Sequence, residues 1–292
     1  MNTIILKFLL GSVIFLNLLS CSNHKKSVSG QKKSEKNNVV DSNSMLSKYD
    51  LGSESPRIIE LPSDLKEISG MTITPDNRLF AHNDEKGIIF QIDMNNGDII
   101  KRFSLGDLPV MEDFEDITYA NGKFYLLKSS GDIYEFEEGE NNSRVKYTIH
   151  KTELNHSNDV EGLCYDPESN SLLLACKGAS GTGDNEDKAV YFFSLENLKL
   201  NTTPRFLIAV KDIGKIFNPS GIQRHPVSGT FFIIAANGNE IIEISKDGKI
   251  LGRHELPKSV HSQPEGIAFD RDYNMFISNE NKPGNIVVYP YH

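Results

Sequence analysis

The sequence predicts an all-β fold, a five-bladed β-propeller closed by an N-terminal strand, with six blades as the alternative count. Three observations carry this: a short signature that recurs five times, a near-constant period, and several short apolar strands inside each period. The signature is a polar residue, a spacer, Ser or Glu, usually Gly, then an apolar residue. Its copies are Glu67-Ile68-Ser69-Gly70-Met71, Asp113-Phe114-Glu115-Asp116-Ile117, Asp159-Val160-Glu161-Gly162-Leu163, Asn218-Pro219-Ser220-Gly221-Ile222 and Gln263-Pro264-Glu265-Gly266-Ile267. Their third positions stand 46, 46, 59 and 45 residues apart.

Residues 1–20 read as a signal peptide. Lys7 precedes an apolar run over residues 8–19, which is too short to span a bilayer as a helix. Leu18-Leu19-Ser20-Cys21 follows and resembles the lipobox of a bacterial lipoprotein. That resemblance implies cleavage before Cys21 and lipidation of its thiol, with multiple acyl chains giving a stable anchor. Ser22 after the cysteine points to the outer membrane, with the protein facing the periplasm.

Residues 21–55 form the lipidated cysteine and a basic tether. Between Ser22 and Lys48 six lysines face Glu35 and Asp41, in a stretch nearly free of large apolar residues that cannot fold alone. Residues 56–292 are the propeller domain. Without Lys7 and the tether, 24 basic residues remain against 38 acidic ones, which excludes nucleic acid as a partner.

The segment Arg57-Ile58-Ile59-Glu60-Leu61-Pro62 has no blade of its own, while the final repeat runs out after three strands. Donated to that last blade, the orphan pairs the two chain ends and removes an exposed strand edge. Ile58, Ile59 and Leu61 are expected to be buried by it. In the first blade, residues 71–74, 79–82, 88–92 and 99–105 read as strands, punctuated by Pro75-Asp76-Asn77 and Asn96-Gly97. The later copies repeat this, with strands predicted at 124–127, 172–176, 231–235, 275–278 and 286–289. The long interval is assigned to an inserted loop, 178–187, before a strand at 190–195. Cys164 and Cys176 fall on neighbouring strands of the third blade, where they pair in an oxidising envelope if the register places them on one face and otherwise stay buried free thiols.

The loop leading into strand one of a blade shares a face with the loop between strands two and three. Glu67, Asp113, Glu115, Asp159, Glu161 and Glu265 are therefore expected at one mouth of the central channel, with His82, Asn83, Asp84, Lys128, Lys177, Asn237, Asn279 and Glu280. So many carboxylates near one axis repel unless something positive lies among them. A hard cation with oxygen ligands, Ca2+ held by Glu115, Glu161 and Glu265, meets that need, as do water and Lys128 or Lys177. The glycine-rich run 178–183 lacks the residues of a phosphate loop, and no Cys/His cluster has zinc spacing.

With Ser69-Gly70, Glu161-Gly162, Ser220-Gly221 and Glu265-Gly266 in this order, the propeller resembles the SdiA-regulated (YjiK-like) family. It departs at Glu115-Asp116, where Gly is more usual, expected to add a carboxylate to the mouth. The family has no established activity. The Glu-Gly pairs also resemble those of gluconolactonase-type and esterase-like phytase propellers, which bind divalent metal in the channel. Two functions follow. One is a membrane-anchored binding or scaffold module of the cell envelope, monomeric, taking a small molecule or an envelope protein at its mouth. The alternative is a metal-dependent hydrolase of a lactone or phosphoester, with Glu161 or Glu265 activating water.

Overall fold

The computed structural model describes residues 44–108, 110–182, 186–213, 216–280 and 283–292. The signal segment, Cys21 and the tether up to residue 43 lie outside the described residues. Among those described, no helix is long and apolar enough to cross a membrane.

Five sheets stand around one axis as five blades. Blade one holds β2 (Ile68–Ile73), β3 (Leu79–Asn83), β4 (Ile88–Ile92) and β5 (Ile99–Leu105). Blade two holds β6 (Phe114–Ala120), β7 (Lys123–Lys128), β8 (Ile133–Phe136) and β10 (Tyr147–His150). On the way to β10 the chain crosses over, and β9 (Arg144–Val145) adds a parallel fifth strand to β5 of blade one. Blade three holds β11 (Val160–Asp166), β12 (Ser171–Cys176) and β13 (Lys188–Ser194), with its outer strand split into β14 (Lys199–Leu200) and β15 (Phe206–Ile208), both on β13. That split and the short helix α1 (Val210–Ile213) share the extra length of this repeat with the 178–187 loop. Blade four holds β16 (Asn218–Arg224), β17 (Phe231–Asn237), β18 (Glu240–Ile244) and β19 (Ile250–Glu255).

Blade five holds β20 (Pro264–Phe269), β21 (Met275–Asn279) and β22 (Asn285–Tyr289), and is completed by β1 (Arg57–Glu60), antiparallel to β22 with Ile59 opposite Ile286. The expected closure is therefore present. One detail differs: neighbouring strand residues point to opposite faces, so Ile59 and Leu61 are buried whereas Ile58 is 49% exposed.

The turn between strands one and two places Asn77, Asn121 with Gly122, Asn170, Gly229 and Tyr273 in the left-handed region. Asn and Gly tolerate that conformation best, which is why the sequence shows them here. Five apolar clusters fill the five seams between blades. Cys164 packs in the seam between blades three and four and Cys176 in that between two and three, on opposite faces of one sheet, and both remain free thiols.

The amino-terminal part of the described chain is a strap. Its composition assigns residues 44–51 to the tether, yet Leu46, Tyr49 and Leu51 are buried in the seam between blades four and five. A 3-10 turn at Met45–Lys48 begins on Ser44, and the Glu243 carboxylate accepts from Ser44 Oγ and Met45 N, both at 2.6 Å. The Tyr49 hydroxyl donates to the Tyr273 carbonyl at 2.9 Å and meets His225 Nε2 at 3.0 Å.

Candidate functional site: an acidic channel mouth

Every innermost strand carries a β-bulge, and every bulge falls in the signature. In all five copies the third signature residue is left without a ladder partner, the arrangement by which a bulge re-aims a side chain. Ser and Glu then act differently. Ser69 Oγ donates to the Glu115 carbonyl and Ser220 Oγ to the Pro264 carbonyl, each at 2.6 Å, tying one blade to the next. The three glutamates face the channel instead.

The glycine of the signature allows neighbouring inner strands to close up. A Cβ on Gly221 would stand 2.5 Å from the Glu265 carbonyl oxygen, which no L side chain permits. Asp116 occupies this position in blade two and does not reach the mouth, contrary to the expectation. It is buried, and its carboxylate accepts from Ile117 N at 2.8 Å and from Leu163 N of blade three at 2.7 Å. A side-chain brace replaces close backbone contact at this one seam.

At the mouth is a cavity of about 170 Å3. Glu115, Glu161 and Glu265 line it, as do Glu67, Asp84, Asp113, Glu280 and Lys177. Ser69 and Gln263 also line it, and sequence reasoning missed them as site residues although both are signature positions. Gln263 Nε2 donates to Glu265 Oε1 at 2.8 Å and to Glu280 Oε2.

The other expected members lie elsewhere. His82 is fully buried beneath the signature loop, its Nε2 accepting from Gly70 N at 3.2 Å and its Nδ1 on the Asn83 carbonyl at 2.8 Å. Burial lowers its pKa to about 4, so it is neutral and unsuited to acid–base work at pH 7. Asn83 accepts from Lys86 N at 3.2 Å, and Lys128 pairs with Glu112 at 2.6 Å. Asp159 sits in the left-handed region, its carbonyl accepting from Lys177 N. Asn237 is exposed, and Asn279 is buried against His261 Nδ1 and Asn285.

Lys177 Nζ pairs with Glu161 Oε1 and is the one cation among the described lining residues. Seven carboxylates share the space with it. Burial, then the neighbouring carboxylates Glu161 and Asp113, push the Glu115 pKa up to about 9. Burial raises Glu265 to about 8, although the Gln263 amide works against it, and raises Glu161 to about 7 against the pull of Lys177. Burial and the charges of Glu67 and Glu280 also raise Asp84, whose Oδ1 is shut off from solvent with no hydrogen-bond partner among the described residues. Without a further positive charge, the mouth keeps protons at neutral pH.

The sequence family described as SdiA-regulated matches residues 43–289. No curated protein matches the chain in sequence. Among solved structures, the glutaminyl cyclase of Myxococcus xanthus is similar at 12% identity with a TM-score of 0.55, over 80% of this chain and 93% of that one. A gluconolactonase of Xanthomonas campestris is 14% identical with a TM-score of 0.49, over 77% of this chain and 72% of that one. At such identity the likeness to the cyclase is one of fold alone.

Proposed function

The chain belongs to the SdiA-regulated family, and from that premise we propose that it is a lipid-anchored binding module of the bacterial cell envelope whose channel mouth takes up a cation. The observation that supports this reading is the convergence of Glu115, Glu161 and Glu265 from three blades on one small cavity, with Lys177 as the one cation among its described lining residues. Carboxylates crowded in a partly desolvated cleft focus a negative potential, and a cation displaces the protons they otherwise keep.

Calcium suits the donor set in kind, because every charged donor is a hard oxygen. As placed, no three His, Cys, Asp or Glu groups among the described residues are positioned to hold one ion together. An ion taken up there would therefore have to keep part of its water among the roughly six to eight oxygens calcium accepts. In that role Glu115, Glu161 and Glu265 hold the ion.

The test is thermal unfolding with chelator and with added calcium. Chelation is expected to lower Tm and calcium to restore it, since a ligand bound by the native state alone stabilises by mass action. Replacing Glu115 and Glu265 together by Gln is expected to abolish the calcium response. A protein indifferent to chelation, whose double Gln variant melts higher, would refute the cation site.

A second reading, a metal-dependent hydrolase of a lactone or phosphoester, is favoured by one observation. Glu161, paired with Lys177, lies in the same cavity as Glu115 and Glu265, so a carboxylate would stand beside the ion to activate water. Turnover of lactone or phosphoester substrates that needs calcium and falls in Glu161→Gln would support it.

A further inference from the structure

The chain holds three Asn-Gly pairs, Asn96-Gly97, Asn121-Gly122 and Asn237-Gly238. Each stands at a hairpin, between β4 and β5, β6 and β7, and β17 and β18 in turn. The pair also carries a chemistry of its own. Glycine has no Cβ, so its backbone nitrogen can approach the side-chain carbonyl carbon of the asparagine before it. Attack within one chain needs no second molecule to be captured, and its rate depends on whether the two groups can meet.

All three asparagines are exposed, so access of water does not separate them. Their side-chain hydrogen bonds do. Asn96 is clamped at both ends of its amide, its Nδ2 donating to Asp98 Oδ2 at 2.7 Å and its Oδ1 accepting from Asp98 N at 3.1 Å. Asn121 Nδ2 donates to Asn170 Oδ1 of the next blade at 2.9 Å, and the Tyr165 hydroxyl stands 3.2 Å from its Oδ1. The Asn237 side chain makes no hydrogen bond among the described residues. Its amide turns without breaking any contact. Asn237 ends β17 as Asn83 ends β3 and Asn279 ends β21, and the residues after those two, Asp84 and Glu280, line the acidic mouth. A charge created at Asn237 therefore lies on the face of the ring that carries the mouth.

We propose that Asn237 is a self-modifying site, deamidating in the folded protein while Asn96 and Asn121 persist. The Gly238 nitrogen bonds to Asn237 Cγ and gives up its proton, and the side-chain amide nitrogen leaves with that proton as ammonia. The product is a cyclic imide. Water then adds to one of the two imide carbonyls, opening the ring to aspartate or to isoaspartate, in which the main chain runs through the former side chain. No oxidant or reductant takes part. Either product replaces a neutral amide by a carboxylate, and isoaspartate also lengthens the backbone leading into the β17–β18 turn.

The experiment incubates the full-length protein in non-ionic detergent at mildly alkaline pH, with a parallel sample in urea. Portions taken over time are digested in acid, where ring closure is slow, and the three Asn-Gly peptides are followed by mass spectrometry. In the native protein Asn237 is expected to convert at least about tenfold faster than Asn96 or Asn121, whose hydrogen bonds must break before the attack. In urea those hydrogen bonds are gone and the three rates should converge. Ion exchange of the native sample should show a more acidic species growing at the rate of the Asn237 peptide. Asn237→Gln should abolish that species, because its longer side chain would have to close a larger ring. The position is exposed, so this variant keeps its fold, whereas Gly238 stands at φ 115 and is left in place. A native protein in which Asn237 persists, or in which Asn96 or Asn121 converts as fast, would overturn the proposal. So would rates that remain apart in urea, or an acidic species that still forms in Asn237→Gln.

Discussion

Substituting the two adjacent isoleucines of the closing strand tests ring closure residue by residue. Ile59 is 3% exposed, lies opposite Ile286 and packs with Leu61, Phe276 and Val288, whereas Ile58 lies opposite Val287 and is 49% exposed. Ile59→Ala should remove about 2–5 kcal/mol of stability, the range for a buried Ile truncated to Ala. At about 2–4 °C per kcal/mol for a domain of this size, Tm should drop by roughly 4–20 °C. Ile58→Ala should stay within about 0.5 kcal/mol, as exposed substitutions do. The chain has ten tyrosines and no tryptophan, so urea unfolding followed by circular dichroism and tyrosine fluorescence is the suitable assay. Because strand faces alternate with a period of two, a slip of one residue in the β1–β22 register would exchange the two outcomes. Equal losses, or a larger loss at Ile58, would refute the closure described here.

Removing residues 1–65 should go further and abolish cooperative unfolding, because it strips β1 and the strap together; a sharp transition of unchanged midpoint would contradict this. Asp116→Ala should cost about 2–6 kcal/mol by leaving the buried N–H groups of Ile117 and Leu163 without an acceptor, at ~1–3 kcal/mol each, and Asp116→Asn, which keeps one acceptor, should cost less in the same denaturant titration. Glu115 and Glu265 protonate in the native state at about 9 and about 8 against an ordinary 4.5, so the native protein holds more protons than the unfolded chain and loses stability as pH rises through that window. Buried His82, His225 and His261, each lowered to about 4, act in the opposite sense below their ordinary 6.5; the cleaner measurement is therefore stability without calcium between pH 7 and 9, where Glu115→Gln should reduce the slope by up to about 1.4 kcal/mol per pH unit and leave the part due to Glu265. Cys21→Ser should prevent incorporation of a fatty-acid label, and continued labelling would dismiss the anchor.

The blades were legible in the sequence because each repeat announces its own turns: Asn77, Asn121, Asn170 and Gly229 supply the left-handed residue that the first hairpin demands. Convergence of the glutamates was legible for the same reason, since a fixed place in a repeat is a fixed place around the axis. The bulge was not, because it is a property of pairing between strands and leaves no separate mark in composition. For that reason the spacing alone gave no sign that Ser69 and Ser220 tie blades together while Glu115, Glu161 and Glu265 face the cavity. His82 stands near the end of β3 as expected, but its ring is buried beneath Gly70 and does not reach the mouth. The strap was hidden by its surroundings. Leu46, Tyr49 and Leu51 are too few to show a period, and the partners that bury them, from Phe232 to Tyr289, come from blades four and five at the far end of the sequence.

That strap determines the order in which the ring can be taken apart by force. A pull on the chain before Ser44 first loads the contacts to Glu243, then Tyr49 in its aromatic socket with His225 and Phe232, and only afterwards Arg57 at the start of β1. Tension entering from the amino end is thus spent on a short clasp that bridges two blades before any of it reaches the strand closing the circle. The closing strand is shielded mechanically by eight residues that contribute no strand at all.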